Sequence, residues 1–106
     1  MQEIEYLLYL SHDMEDRLRV SAHKEKGDIL EFVVQYEGLF SDRWDPSIRY
    51  DTAHGFAHRD LIWPTGKIDK QPLFFDNYNM AFTYASLDLK ANWAGYRKAY
   101  EQEIRK

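Results

Sequence analysis

An α+β fold follows from three features of the 106-residue chain. Apolar and polar residues alternate between residues 16 and 73, which is the period of half-buried β-strands. From residue 76 to residue 104 the apolar period changes to that of a helix. Turn-forming residues separate the alternating runs, and no long linker interrupts them. We therefore predict a single domain over residues 1–106, with an antiparallel β-meander of four to five strands and one long C-terminal α-helix packed on one face.

The first two alternating runs predict a β-hairpin. In the first run Leu18, Val20 and Ala22 share a face. In the second run the apolar face consists of Leu30, Phe32, Val34 and Tyr36. Pairing Val20 with Val34 puts both apolar faces on the same side of the sheet. That register leaves a three-residue loop at residues 26–28, where Gly27 accepts a positive φ.

Two further strands are predicted at residues 44–51 and 57–63. Pro46 cannot donate a ladder hydrogen bond, so the third strand begins near it or meets a sheet edge there. Pro64 starts a Pro-Thr-Gly run that is typical of a turn. A short fifth strand is expected near residues 68–73.

The helical stripe is long for so small a domain. It comprises Tyr78, Phe82, Ala85, Leu89, Trp93, Tyr96 and Tyr100. Asp76 is the predicted N-cap, with Phe75 and Met80 as a hydrophobic staple. A helix of this length extends about 42 Å, whereas strands of seven residues extend about 23 Å. Either the N-terminal segment or a second subunit must cover the C-terminal end of the stripe, and we predict a homodimer through this helix.

Composition limits the classes of function. The net charge of −4 offers no general attraction to nucleic acid or anionic lipid. The absence of cysteine excludes disulfides, thiolate catalysis and cysteine-ligated zinc. Residues 1–14 fit a short helix or a buried strand, and the first ten lack the basic start of a signal peptide. No apolar run is long enough to span a bilayer, so we predict a soluble cytoplasmic protein without a membrane partner.

The run from Arg49 to Asp60 concentrates the side chains that carry chemistry. Its candidate site residues are His54, His58, Asp51, Arg49, Arg59 and Asp60. Histidine exchanges protons near neutral pH, so two of them beside fixed charges are typical of proton transfer or metal binding. We assign neither a metal nor a cofactor to this block.

Strand pairing predicts which of these side chains meet. Pairing Ile48 with Leu61 keeps the apolar residues of both strands on the core side. Asp51 then lies opposite His58, and the pair shares the other face of the sheet. Arg49 and Asp60 form a second cross-strand pair on that polar face. An aspartate beside a histidine fixes the tautomer of the imidazole, while His54 lies in the connecting loop.

Three interpretations of the block stay open. It can be a solvated polar face, whose exposed ion pairs contribute about 0–1 kcal/mol each. Alternatively, the two histidines act as acid and base, with Asp51 orienting His58 and Arg49 or Arg59 holding an anion. In the third interpretation both histidines bind a metal together with Asp51 or Asp60. The histidine spacing is diagnostic of metal only on a helix.

The run Arg49–Asp60 also resembles the central block of an uncharacterised prokaryotic family of small proteins, Arg-Tyr-Asp-Thr-Ala-His-Gly-x-x-His-Arg-Asp. In that family a Pro/Gly turn and a C-terminal helix follow. More distantly, the Arg-Tyr-Asp run with His54 and His58 is similar to the pattern of TumE-type toxins of toxin–antitoxin modules, with Thr52 where that pattern has asparagine. The resemblance implies a shared site and suggests RNA or an antitoxin as the partner.

Two functions are compatible with these observations. The first is a toxin-like, metal-independent ribonuclease, in which His54 and His58 exchange protons and an arginine holds phosphate. The second is a homodimeric protein-interaction module without catalytic activity, in which the block rigidifies a hairpin and the helix binds a partner. The histidine concentration favours the first function, and the acidic net charge favours the second.

Overall fold

The computed structural model describes residues 1–106 as one antiparallel sheet with one long helix. The elements in chain order are β1 (Gln2–Tyr9), β2 (Asp16–Glu25), β3 (Asp28–Phe40), β4 (Arg43–Asp51), a 3-10 turn (Ala53–Gly55), β5 (His58–Ile62), β6 (Ile68–Pro72) and α1 (Tyr78–Ile104). Each strand pairs antiparallel with the next one along the chain. The predicted α+β meander with a C-terminal helix is confirmed, with six strands instead of four or five.

The additional strand is the N-terminal segment. Residues 1–14, for which the sequence left helix and strand open, contain the edge strand β1. It pairs with β2 along its whole length, and Tyr6 lies opposite Val20. Ile4 packs against the core, whereas most of the other side chains of β1 are exposed. Pairing with β2 satisfies backbone groups that a short isolated helix would leave to water.

The β2–β3 hairpin has the predicted register over most of its length, with Val20 opposite Val34. The predicted three-residue loop is wrong. Glu25 pairs with Asp28, so the turn consists of Lys26 and Gly27 alone, both with positive φ. Two positive φ angles are typical of the hairpin turn whose twist matches that of the strands.

A β-bulge accounts for the shortened loop. His23 pairs with Glu31 and Lys24 pairs with Ile29, which leaves Leu30 without a partner. The bulge reverses the facing of the residues that precede it. Ile29 therefore joins the core, and Leu30, predicted to be a core residue, is 44% exposed.

A second bulge lies in β4 beside Pro46, near which the sequence predicted a strand start or a sheet edge. The strand begins at Arg43, one residue before the predicted range 44–51, and Pro46 lies inside it, paired with Glu37 beside a shift in register. A bulge tolerates the missing N–H of proline within a strand.

The core lies between the sheet and α1. Its buried strand residues are Leu18, Val20, Ala22, Ile29, Phe32, Val34, Tyr36, Ile48 and Tyr50. The helix contributes Ala81, Ala85 and Leu89, with the aromatic residues of the predicted stripe packed around them. The small helical residues let α1 approach the sheet closely, so the predicted stripe is confirmed as the buried face.

The helix begins one residue later than predicted. Asn77, not Asp76, is the N-cap, because its extended backbone lets its side chain accept a hydrogen bond from the Met80 N–H at 2.9 Å. Phe75 packs on the ring of Tyr84, with ring centroids 5.3 Å apart. None of the helices combines the length and the apolar character that crossing a membrane requires.

The helix and β3 run side by side in the same direction. At one end Asn79 accepts a hydrogen bond from the Ile29 N–H at 2.7 Å, and at the other the ring of Tyr100 packs on Phe40 with a centroid distance of 4.8 Å. The thirteen residues of β3 extend about 43 Å, which matches a helix of about 40 Å. The assumption of seven-residue strands was wrong. Tyr96 and Tyr100 therefore find partners within the chain, and the homodimer stays a prediction.

Candidate functional site

The β4–β5 connection positions the candidate residues through its own side chains. The Asp51 carboxylate accepts a hydrogen bond from the Ala53 N–H at 3.0 Å, as short polar side chains do in turns. Thr52 accepts one from the Phe32 N–H at 3.1 Å, which ties the loop to β3. His54 has a φ of 68°, a left-handed conformation that is uncommon for a residue other than glycine.

The predicted pairing of β4 with β5 is confirmed. Asp51 lies opposite His58, and Arg49 lies opposite Asp60. The Nε2 atom of His58 is 2.7 Å from Asp51 Oδ1 and 3.7 Å from Asp60 Oδ1. We call Asp51, His58 and Asp60 the His58 cluster. They are 8%, 1% and 4% exposed, respectively. The cluster is therefore part of the interior and not a solvated face.

The three side chains of the His58 cluster lie close together but do not hydrogen-bond to one another. The contact from His58 Nε2 to Asp51 Oδ1 has the distance of a hydrogen bond but not its direction, and Nε2 has no other partner. Asp60 Oδ1 also lacks a hydrogen bond, and its nearest cation is the Lys70 ammonium at 4.0 Å. A buried polar atom without a partner costs about 1–3 kcal/mol, so such atoms are uncommon unless they have a role.

The other imidazole nitrogen has a partner. His58 Nδ1 is 3.3 Å from the carbonyl oxygen of Phe56, which lies two residues before the start of β5. When Nδ1 donates its hydrogen to this carbonyl, a neutral imidazole carries its lone pair on Nε2. The rings of Phe56 and His54 lie 5.3 and 6.5 Å from that of His58, measured between centroids. His54 is exposed, so it is the histidine of this block that a ligand can reach.

The two arginines of the block lie on different faces. Arg59 pairs with Tyr50, whose side chain points to the helix, and its guanidinium donates to Gln71 and to the Tyr96 hydroxyl. The Arg59 guanidinium therefore lies on the helix side of the sheet, away from the two histidines. Burial and a hydrogen bond to Asp88 raise the pKa of Tyr96 to about 12. Arg49 lies on the same face as Asp51, and its Nε donates to Gln35 at 2.7 Å.

Sequence reasoning missed a second polar cluster on this face. The Glu37 carboxylate accepts hydrogen bonds from Arg17 at 2.7 Å, from Arg19 at 2.9 Å and from Gln35 at 2.5 Å. Burial by itself raises the pKa of this carboxyl group, but these hydrogen bonds outweigh it and leave the pKa of Glu37 below its ordinary value. We call Glu37 and these three partners the Glu37 cluster. The period-two pattern places all four residues on one face, but it does not indicate that Gln35 and Glu37 are buried there.

An open cavity of about 440 Å³ lies beside the His58 cluster on the polar side. Asp51 lines it together with Glu3, Glu5 and Glu31. His23 contacts two of these carboxylates, Glu3 at 3.1 Å and Glu31 at 2.8 Å. Recognising residues 1–14 as a strand would have indicated this acidic lining, because Glu3 and Glu5 share a face at a period of two.

The fold and the site define a small α+β protein, a meander with one helix and a buried Asp-His-Asp cluster at the β4–β5 hairpin. The chain belongs to the family described as "Domain of unknown function (DUF7718)", whose family model matches residues 1–106. No curated protein and no solved structure matches the chain.

Proposed function

We propose that the protein is a small toxin-like ribonuclease that cleaves RNA by metal-independent proton transfer. The observation that carries the proposal is the placement of two imidazoles at one hairpin. The exposed His54 lies beside the enclosed His58, with ring centroids 6.5 Å apart. An exposed imidazole backed by buried charged groups is a suitable general acid or base at neutral pH.

The burial of each residue divides the roles among them. His54 is the group that meets the substrate, where it takes the proton of the ribose 2′-hydroxyl as that oxygen attacks phosphorus. The P–O bond to the 5′ oxygen of the next nucleotide then breaks, this oxygen takes a proton from a water molecule, and His54 returns the proton it accepted to the solvent. The products are a 2′,3′-cyclic phosphate and a 5′-hydroxyl. His58 is too enclosed to touch RNA, and it acts with Asp51 to position the hairpin that carries His54.

Arg49 is the candidate phosphate ligand. Its one side-chain hydrogen bond is from Nε to Gln35, which leaves both terminal nitrogens of the guanidinium for a phosphate oxygen. A guanidinium donates in a geometry that matches phosphate. Arg59 has no part in this proposal, because its guanidinium is held on the helix side by Gln71 and Tyr96.

The resemblance of the Arg49–Asp60 run to TumE-type toxins supports the same activity. A ribonuclease of this kind acts in the cytoplasm and needs an inhibitory partner, and an antitoxin is the partner we propose. The acidic cavity beside the cluster repels RNA phosphates, so it is better suited to basic side chains of such a partner.

The test is cleavage of labelled RNA in the presence of a chelator. We expect the wild-type protein to cleave and the His54→Ala and His54→Ala/His58→Ala variants to lose roughly 100-fold or more of the rate, the size typical of a lost acid–base group. His12→Ala is the matched control, since His12 is exposed in the β1–β2 connection. Background cleavage by the wild type, or equal cleavage by wild type and His54→Ala, would exclude the proposal.

A non-enzymatic homodimeric module is the second candidate. The observation that favours it is an apolar stripe along one side of α1, where Met80, Tyr84 and Leu87 are partly exposed at helical spacing. Such stripes are typical of helix–helix contacts. If α1 mediates a dimer, light scattering will give twice the chain mass, and Leu87→Glu will reduce it to one chain. A single-chain mass for the wild type at high concentration would contradict the dimer.

A further inference from the structure

We infer that the His58 cluster binds a divalent transition-metal cation, with Asp51, His58 and Asp60 as its protein ligands. One nitrogen and two carboxylate oxygens, one from each residue, lie within 4.8 Å of one another. The side chains of His58 and Asp60 are more than nine-tenths buried, and that of Asp51 is 11% exposed. The inference goes beyond the proposed ribonuclease, because the cation would stabilise the β4–β5 hairpin whether or not the protein cleaves RNA.

The atoms without partners are the evidence for a ligand. His58 Nε2 and Asp60 Oδ1 are both buried, and neither has a hydrogen bond to protein. These are two of the atoms that would coordinate the ion. A nitrogen lone pair 2.7 Å from the Asp51 oxygen is repulsive unless something positively charged lies between them. A proton on Nε2 does not fill this role well, because the contact lacks the direction of a hydrogen bond.

The surroundings of His58 fit a metal ligand. Histidines that bind metals nearly always donate the other ring N–H to a carbonyl or carboxylate, which fixes the tautomer. His58 Nδ1 lies 3.3 Å from the Phe56 carbonyl oxygen and meets this requirement. Nε2 is then free to coordinate, and it is the nitrogen that faces both aspartates.

The distances between the candidate ligand atoms bracket those expected around a first-row cation. Two ligands at about 2.1 Å from an ion, with an angle between 90° and 110°, lie about 3.0 to 3.4 Å apart. The separations of 2.7 and 3.7 Å from Nε2 to the two aspartate oxygens lie on either side of this range. A mixed set of imidazole and carboxylate suits Zn²⁺ or Mn²⁺ better than Mg²⁺, which prefers oxygen alone. Three protein ligands leave a coordination position for water.

Two nearby features compete with this site. The Lys70 ammonium lies 4.0 Å from Asp60 Oδ1 and would repel a cation, but its side chain is nearly half exposed and can turn into solvent. His23, between Glu3 and Glu31, is the other place where imidazole and carboxylates meet. It is a poorer candidate because both of its nitrogens already contact a carboxylate and all three side chains are open to water.

The test is calorimetric titration of untagged, chelator-stripped protein with Zn²⁺, followed by Mn²⁺ and Mg²⁺. We expect one Zn²⁺ per chain, with an affinity that falls at least tenfold in Asp60→Asn and in His58→Gln. Lys70→Gln should bind a few-fold more tightly. His23→Gln is the matched control and should leave the affinity unchanged. Backbone amide NMR spectra will check that each variant is folded, and the largest Zn²⁺-induced shifts should fall in residues 49–60.

Three outcomes would overturn the inference. They are no binding at millimolar Zn²⁺, binding that Asp60→Asn leaves unchanged, and binding that His23→Gln removes. The readout is binding and not RNA cleavage, so failure here leaves the ribonuclease proposal untouched. Conversely, Zn²⁺ binding by a protein without RNA cleavage would support the cation site and exclude the ribonuclease.

Discussion

The polar face of the sheet carries two buried charged clusters that differ in how well their atoms are paired. In the Glu37 cluster every buried carboxylate oxygen accepts hydrogen bonds, and Arg17 also packs on the ring of Trp44 at 3.8 Å. In the His58 cluster, two buried side-chain atoms have no hydrogen bond. Both clusters are built by neighbouring strands of one sheet, so the sheet topology alone does not account for the difference.

This difference in pairing indicates a structural role for the Glu37 cluster and suggests a binding role for the His58 cluster. A buried charge is tolerated when its hydrogen bonds are satisfied, as around Glu37. A buried charge without partners destabilises the folded chain unless a ligand completes it. The Glu37 cluster therefore links β2, β3 and β4, through Gln35 to Arg49, and the unpaired atoms of the His58 cluster are those to which we propose a cation binds.

The largest effect is expected from breaking the Glu37 cluster. Glu37→Ala leaves Arg17 and Arg19 facing each other without their carboxylate, and the loss of one partner of a buried ion pair costs about 3 kcal/mol. Urea unfolding will measure this decrease in the free energy of unfolding. Glu31→Ala is the control, since Glu31 is an exposed glutamate on the same strand and face. A loss no larger than that of the control would mean that the cluster is not structural.

An effect of the opposite sign is expected in the His58 cluster. With a chelator present, Asp60→Asn removes a buried charge that has no hydrogen bond on Oδ1, and we expect the free energy of unfolding to rise by about 1 kcal/mol. Asp76→Asn is the control, because Asp76 is exposed in the loop before α1. With saturating Zn²⁺ the wild type should become more stable than Asp60→Asn, since only the wild type has all three ligands. A destabilised Asp60→Asn protein in chelator would contradict this comparison.

The smallest effect concerns pH. The pKa of Glu37 is lower in the folded chain than its ordinary value of 4.5. The contribution of its carboxylate to the free energy of unfolding is therefore fully present above pH 4.5. The contribution is lost as the pH falls below 4.5 through the folded pKa, where the unfolded chain binds the proton first. We expect the free energy of unfolding of the wild type to fall more steeply with acidification than that of Glu37→Gln. Parallel pH profiles would show that Glu37 is not the group responsible.

Much of the fold was accessible from local pattern. The period of two, the turn residues and the helical stripe led to the meander, to the pairing of Val20 with Val34 and to that of Asp51 with His58. The bulge at Leu30 was not accessible, because it follows from fitting the tight Lys26-Gly27 turn to the strands. The length of β3 was also underestimated, since the end of the strand is covered by residues distant in sequence, such as Tyr100 of the helix on Phe40.

Part of the candidate site could also be predicted from the local sequence pattern. Register alone brought Asp51 to His58 and Arg49 to Asp60. It also puts Arg59 on the helix side, because neighbouring residues of a strand face opposite ways. The burial of the His58 cluster and the whole Glu37 cluster escaped prediction, since both depend on side chains from several strands closing over one another.

The alternation of residue types by itself determined the order of the elements, the face of each strand and the opposition of the aspartate and histidine. It could do so because facing and register depend on the local geometry of the backbone. Only the tertiary structure decided which charges are buried and which of them find partners. That outcome depends on the positions of atoms from β2 to β6 together, and no local pattern contains those positions.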